Sequence, residues 1–341
     1  MKPPLRPLTY SRSLTFTLTH DCPWHCAYCG FRTDSEGWLP DSEIDRLCHL
    51  VRHHHLHEAL LISGEAPGQL PHLRAQLRQR GHRDFIDFAN SIAQRALHAG
   101  ALPHGNYGAL NETQLARLRP FHVSMGLMLE NIHDHPWAPQ KRAAGRLATL
   151  NAAGRLRIPF TSGLLLGLGE STASRLLSLD ALAESHRRYG HLQEILLQPF
   201  QPNARSPLRH IPNPTGPDDF ITLITAWHDR CPDVPIQIPP TLVPFWTQLL
   251  PLSDDLGGIS PARDEVNPNH PWAHENHYRT LTASVGRTLL PRLPVYPRYI
   301  NPTWIDPLLL PSVHQILASL PQPHPGPNSP QKSSCCLPTT S

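Results

Sequence analysis

The chain is predicted to fold as a TIM-type (β/α)8 barrel, on three observations. Eight short apolar runs alternate with amphipathic segments over about 280 of its 341 residues, and such barrels typically take about 250 residues. Strands that alternate with helical patterns indicate parallel pairing rather than hairpins. No Gly-rich dinucleotide fingerprint follows the first strand, which argues against the rival doubly wound open sheet.

The strand candidates are LTFTLT (14–19), EALLIS (58–63), LPHGNY (102–107), FHVSMGLM (121–128), PFTSGLLL (159–166), EILLQPF (194–200), VPIQIP (234–239) and a weaker run at 254–259. Helix candidates lie near 41–57, 84–99, 111–119, 140–154, 171–189, 217–230, 242–251 and 273–290. The first shows the logic: Asp41 follows Pro40 as a cap, and Ile44, Leu47, Leu50 and Val51 recur at three- and four-residue steps. Cys48 on that helix reads as a small core residue. The barrel is expected over 1–320. Residues 321–341 are rich in Pro and Ser, bury too little apolar surface to order themselves, and are expected to be a disordered tail.

Composition narrows the function. Hydrophobic residues make up 39% and charged residues 17%, enough for a packed core. A formal net charge of +3 gives no case for a nucleic-acid groove or a membrane-binding face. No run of about 18 apolar residues occurs, and MKPPLRPLTYSRSLTF lacks the apolar centre of a secretory signal. A cytoplasmic location is therefore expected, where thiols stay reduced. HHHLH (53–57) sets His53 and His57 one helical turn apart, at a helix end on the outer ring, and reads as a solvated face.

Chemistry concentrates in HDCPWHCAYCGFR (20–32), which places Cys22, Cys26 and Cys29 in the loop after the first strand. Barrel active sites are built from such loops. The Cys-x3-Cys-x2-Cys spacing differs from zinc knuckles, although His20 or His25 would complete a zinc site. Soft thiolates also select iron–sulfur clusters. Three thiolates can hold three irons of a [4Fe–4S] cube and leave the fourth open, and an open metal position is the mark of catalysis.

With Tyr28 as the aromatic before the last cysteine, this motif resembles the signature of the radical S-adenosylmethionine (SAM) enzymes. The resemblance implies a barrel of the radical SAM kind, a cluster on Cys22, Cys26 and Cys29, and SAM chelated at the open iron. Two further stretches agree with it. ISGEAP (62–67) is similar to the superfamily's Gly-Gly-Glu segment, with Ser63 in place of the first Gly. It would hold the SAM amino group through Ser63, Gly64 and Glu65. GLLLGLGE (163–170) matches a Gly-x-Ile-x-Gly-x-x-Glu pattern through Gly163, Leu165 and Gly167, with Leu165 expected against adenine. Glu130 is the candidate for the ribose hydroxyls.

Longer passages resemble one family within that superfamily, 7,8-didemethyl-8-hydroxy-5-deazariboflavin (FO) synthase in its CofG subunit. They include YSRSLTFTLTHDCPWHCAYCGFR, LPHGNYGALNETQLARLRP, SMGLMLEN, AGRLRIPFTSGLLLGLGES, RYGHLQEILLQPFQP, DLGGISP, DEVNPNHPW and LPVYPRYI, from residue 10 to about residue 300. The resemblance implies ring closure, with loss of ammonia, of a hydroxybenzyl–ribityluracil adduct, the carbon–nitrogen lyase step that forms FO on the way to coenzyme F420. A tyrosine-cleaving partner subunit would supply the adduct, and an electron donor would reduce the cluster. Asn106, Gln198, Asp264, Glu265 and Asn267 are the candidates for substrate contact. The competing readings are a sister radical SAM enzyme (the tyrosine-cleaving partner or a menaquinone-pathway cyclase), a zinc-dependent barrel hydrolase, and a non-catalytic cluster-binding protein.

Overall fold

The structure, a computed structural model, describes residues 6–33, 37–211, 214–261 and 272–321. Its strands are β1 (Leu8–Thr19), β2 (Glu58–Ser63), β3 (Leu102–Asn106), β4 (Ser124–Gly126), β5 (Phe160–Leu166), β6 (Leu192–Pro199), β7 (Ile236–Gln237), β8 (Asp255–Ile259) and β9 (Leu289–Arg292). The helices are α1 (Asp41–His54), α2 (Pro71–Gln79), α3 (Phe85–Ala99), α4 (Glu112–Leu118), α5 (Ala143–Arg155), α6 (Thr172–Tyr189), α7 (Pro217–Arg230), α8 (Trp246–Leu249), α9 (Glu275–Ser284) and α10 (Leu310–Ser319).

β1 to β8 pair in chain order, all parallel, and β1 closes the ring by bonding both β2 and β8. The expected eight-stranded barrel is therefore present. β1 is longer than expected because its first half has a second partner. Leu8 to Ser11 pair with Leu289 to Arg292 of β9, while Ser13 to Thr19 pair with β2. The helix expected over 273–290 stops at Ser284, and Gly286 at φ +74° turns the chain into β9. The helix expected over 242–251 shrinks to the single turn of α8.

Alternation along β1 sorts its two faces. Leu14, Phe16 and Leu18 join the main core between strands and helices, whereas Ser13 and Thr15 face the barrel interior. β6 does the same, with Ile195 and Leu197 outward and Glu194 and Leu196 inward. A second apolar cluster, formed by Leu102, Val123, Leu293, Val295, Tyr299 and α10's Val313, lies below the strand starts. α2 and α10 were missed because proline opens both at the first turn, where its missing N–H costs nothing. Side-chain caps fix the entry of other helices: Asp84 accepts from the Asp87 N–H at 3.0 Å, and Asn111 and Gln114 cap each other at α4.

Candidate functional site

The loop after β1 is tied down from several sides. Its own turn is closed by Cys29 N–H donating to Cys26 O (3.1 Å) and Thr33 N–H to His20 O (3.3 Å). Ala27 N–H donates to Trp137 O (2.7 Å) in the segment after β4, and Ser206 Oγ donates to Ala27 O (2.6 Å) from the segment after β6. The loop's own turn and two neighbouring loops therefore hold the cysteines at the C-terminal mouth. Gly64 permits the approach of β2, since a Cβ there would fall under 3.0 Å from Asp21 O and the Cys22 Cβ.

Cys22, Cys26 and Cys29, all free thiols, line one cavity of about 240 Å³ with Ser63, Gly64 and Glu65 of the β2 end, Asn106 of the β3 end, and Glu130. Lys141 and Arg146 complete its wall. The Trp24 N–H points at Cys22 Sγ (3.4 Å), the contact a metal-bound thiolate accepts. Burial pushes the Cys26 thiol up to about 12, with Lys141 opposing, and raises Cys22 as well. Among the described residues no three His, Cys, Asp or Glu side chains converge on a single metal ion. His20 Nδ1 is engaged with Phe31 O (2.9 Å) and neither His20 nor His25 lines the cavity, so the zinc reading finds no fourth ligand there. A cube is a better match, because each of its three thiolates binds a different iron.

A buried four-charge group stands beside the thiols. Arg146 donates to Glu65 Oε1 (2.7 Å), to Glu130 Oε1 (3.0 Å) and to Met128 O (2.6 Å). Lys141 Nζ lies 2.7 Å from Glu130 and 3.6 Å from Glu65, and Tyr28 OH donates to Glu130 Oε2. Burial works to raise Glu130, but Lys141 and Arg146 outweigh it and hold the carboxyl down to about 2. The same pairing raises Lys141 and Arg146 against the opposing effect of burial. Glu130 has φ +66°, a strained value for a side-chain-bearing residue. Its backbone is pinned there by Glu130 N–H to Gly163 O (3.0 Å) and Leu165 N–H to Glu130 O (3.1 Å).

The structure thus gathers most of the candidate residues and separates others. Tyr28, Ser63, Gly64, Glu65, Asn106 and Glu130 assemble around the thiols. Gly163, Leu165 and Gly167 do not line that cavity. A Cβ at Gly163 would press on Leu196 O, so its glycine serves the β5–β6 contact. Glu170 accepts from the N–H groups of Gly167 (2.7 Å) and Leu168 (2.9 Å) and pairs with Arg175, which fixes the turn after β5. Leu165 and Gln198 are register partners at the ends of β5 and β6. Asp264, Glu265 and Asn267 lie outside the described residues. Lys141 and Arg146 were missed; the only sequence signal was a pair of cations at the start of the helix after strand four.

A closed parallel barrel with three cysteines after β1 and carboxylates after β2 and β4 defines a barrel of the radical SAM kind. The fold is similar to that of methylornithine synthase (PylB), at TM-score 0.63 and 15% identity over 83% of each chain. It is similar also to HydG, a maturase of the [FeFe]-hydrogenase, at TM-score 0.67 and 14% identity over 92% of this chain and 78% of that one. No family model matches the chain. Three sequence relatives carry one name, 7,8-didemethyl-8-hydroxy-5-deazariboflavin synthase. The Methanoregula boonei protein is 38% identical over 91% of this chain and 96% of its own length. The Archaeoglobus fulgidus protein is 35% identical over 90% and 96%, and that of Synechococcus elongatus 39% over 86% and 88%. The chain belongs to the 7,8-didemethyl-8-hydroxy-5-deazariboflavin synthase family. Among the described residues no helix is long and apolar enough to cross a membrane.

Proposed function

We propose that the chain is the cyclising, CofG-type subunit of FO synthase. It would convert 5-amino-5-(4-hydroxybenzyl)-6-(D-ribitylimino)-5,6-dihydrouracil into FO with loss of ammonia, as a carbon–nitrogen lyase. The observation that carries this reading is the meeting of three thiols, two carboxylates and two cations in one cavity at the barrel mouth. A [4Fe–4S] cluster held by Cys22, Cys26 and Cys29, with SAM beside it, would supply one-electron reductive cleavage and hydrogen-abstraction chemistry there.

This chain's residues bind and orient. Cys22, Cys26 and Cys29 would hold three irons. SAM carries an ammonium and a carboxylate, and the cavity offers both complements. Glu65 would meet the ammonium at the end of β2, while Arg146 is taken up by the two glutamates and Met128 O, and Lys141, hydrogen-bonded to Glu130, keeps a donor for a carboxylate. Glu130, kept ionised and oriented by Lys141, Arg146 and Tyr28, suits ribose hydroxyls. Leu165, at the end of β5 and outside the cavity wall, would supply the apolar contact for adenine. The tyrosine-cleaving partner supplies the adduct, and an external donor supplies the electron.

The test is anaerobic reconstitution, expected to load about four irons and four sulfides per chain, followed by SAM, reductant and partner-generated adduct. A fluorescent deazaflavin should form, and it should vanish in Cys22→Ala, Cys26→Ala or Cys29→Ala protein. Tyrosine offered in place of the adduct should give none. Cluster-free protein that still made product would sink the mechanism.

A further inference from the structure

A second cavity lies inside the barrel and shares Asn106 with the cysteine cavity. Its volume of about 170 Å³ is more than ten times the roughly 10–15 Å³ that one water needs. Branched apolar side chains normally fill this space in a (β/α)8 barrel. Here Ser13 and Thr15 of β1, Glu58 of β2, His104 of β3 and Gln237 of β7 line it instead.

The charges on the cavity floor are already committed. Arg292, at the end of β9, donates to Asp255 (2.6 and 2.8 Å) and to Glu194 (3.0 Å), and Tyr296 OH donates to Glu194 (3.0 Å). His104 is different. Its Nδ1 is 2.7 Å from Ser124 Oγ, which lies 2.6 Å from Pro294 O. A carbonyl only accepts, so the one hydroxyl proton of Ser124 goes to Pro294, and His104 Nδ1 must carry the proton that Ser124 receives. Burial, with the Arg292 cation adding to it, holds the ring down to about 3, so the imidazole is neutral near pH 7. Nε2 is then a bare acceptor, and no donor among the described residues bonds it. Glu58 lines the same cavity from the neighbouring strand, two residues nearer the strand start than Leu60, the register partner of His104.

We infer that this cavity is the substrate pocket and that His104, through Nε2, accepts a hydrogen bond from an N–H or O–H of the substrate's ribityl-uracil half. That contact holds the hydroxybenzyl carbon near Asn106, where the two cavities meet. The inference rests on the proposed cyclisation. The chemistry matches it: the ribityl-uracil half is uncharged and rich in donors, and a neutral acceptor binds such a group without the desolvation cost of an ion.

The test compares His104→Phe, which keeps a ring and loses the acceptor, with His104→Gln, whose side-chain oxygen can reach the Nε2 position. Both are measured at wild-type iron content and unfolding temperature. The Phe variant should lose roughly ten- to hundredfold in kcat/KM for the adduct, mostly through KM, and should bind FO more weakly by fluorescence anisotropy. The Gln variant should recover most of both. A Phe variant that binds FO and turns over adduct like wild type overturns the assignment alone, as does a Gln variant as impaired as Phe. Wild-type protein that makes no deazaflavin from the adduct overturns the reaction and the assignment together.

Discussion

Replacing Arg146 with methionine removes one guanidinium from a site that keeps two buried carboxylates. Methionine retains the apolar stem and none of the donors. Glu130 would keep Lys141 at 2.7 Å and the Tyr28 hydroxyl, but among the described residues Glu65 would keep only Lys141 at 3.6 Å and the Ala109 N–H at 3.3 Å. Breaking a buried ion pair costs about 3–5 kcal/mol, because the surviving charge stays in a poor solvent for it. Lys141 and, after it, Arg146 hold Glu130 down to about 2 against burial, so losing Arg146 also lets that carboxyl rise. Unfolding entropy of about 2.1 cal/mol/K per residue makes about 0.7 kcal/mol/K for a barrel of roughly 320 residues. The expected fall in Tm near pH 7.5 is therefore about 4–7 °C. A carboxyl held low contributes stability above its ordinary value and loses it as pH falls towards its folded value. Wild type should therefore lose stability between about pH 4.5 and about pH 2. In the variant, protonation relieves the unpaired carboxylates, so its deficit should shrink on acidification. Circular-dichroism melts at pH 7.5, pH 5 and about pH 3.5 measure both effects. A Tm change under about 2 °C, or a deficit that does not shrink by about pH 3.5, would refute the reasoning.

Two other substitutions separate the local causes. Gly163→Ala places a Cβ under 3.0 Å from Leu196 O in the β5–β6 pair, so the strands must part. Soluble yield should collapse or Tm fall by more than about 5 °C, and near-wild-type melting would remove the steric reading. Tyr28→Phe deletes the O–H that donates to the Glu130 carboxylate, a charge-assisted bond of about 1.5–3 kcal/mol. A Tm lower by about 2–4 °C at unchanged iron content is expected. An unchanged Tm would mean that Glu130 does not depend on the phenol.

Much of the site was legible because it is local. Cys22, Cys26 and Cys29 share one loop, Ser63 to Glu65 end one strand, and Glu130 follows another, so each reads from its own neighbours. The motif around Gly163 was legible too, but its residues divide between tasks: Gly163 admits β6, and Glu170 closes a turn. Lys141 and Arg146 carry no motif, since their partners Glu65 and Glu130 are set by how the β2 and β4 loops meet. β9 was taken for the end of a helix because its hydrogen bonds go to β1, about 280 residues away.

By itself the sequence determined the parallel eight-stranded barrel, the three-thiol loop on its first turn and the acidic strand ends. Periodicity and spacing are properties of neighbouring residues, and no contact needs to be known to read them. Only the tertiary structure decided which cations answer those carboxylates, that proline-opened helices and a ninth strand complete the fold, and that His104 faces an interior cavity with one nitrogen unbonded. Most of those contacts, such as Arg146 with Glu65 and β9 with β1, join residues far apart in the chain, and only the folded barrel brings them within hydrogen-bonding distance.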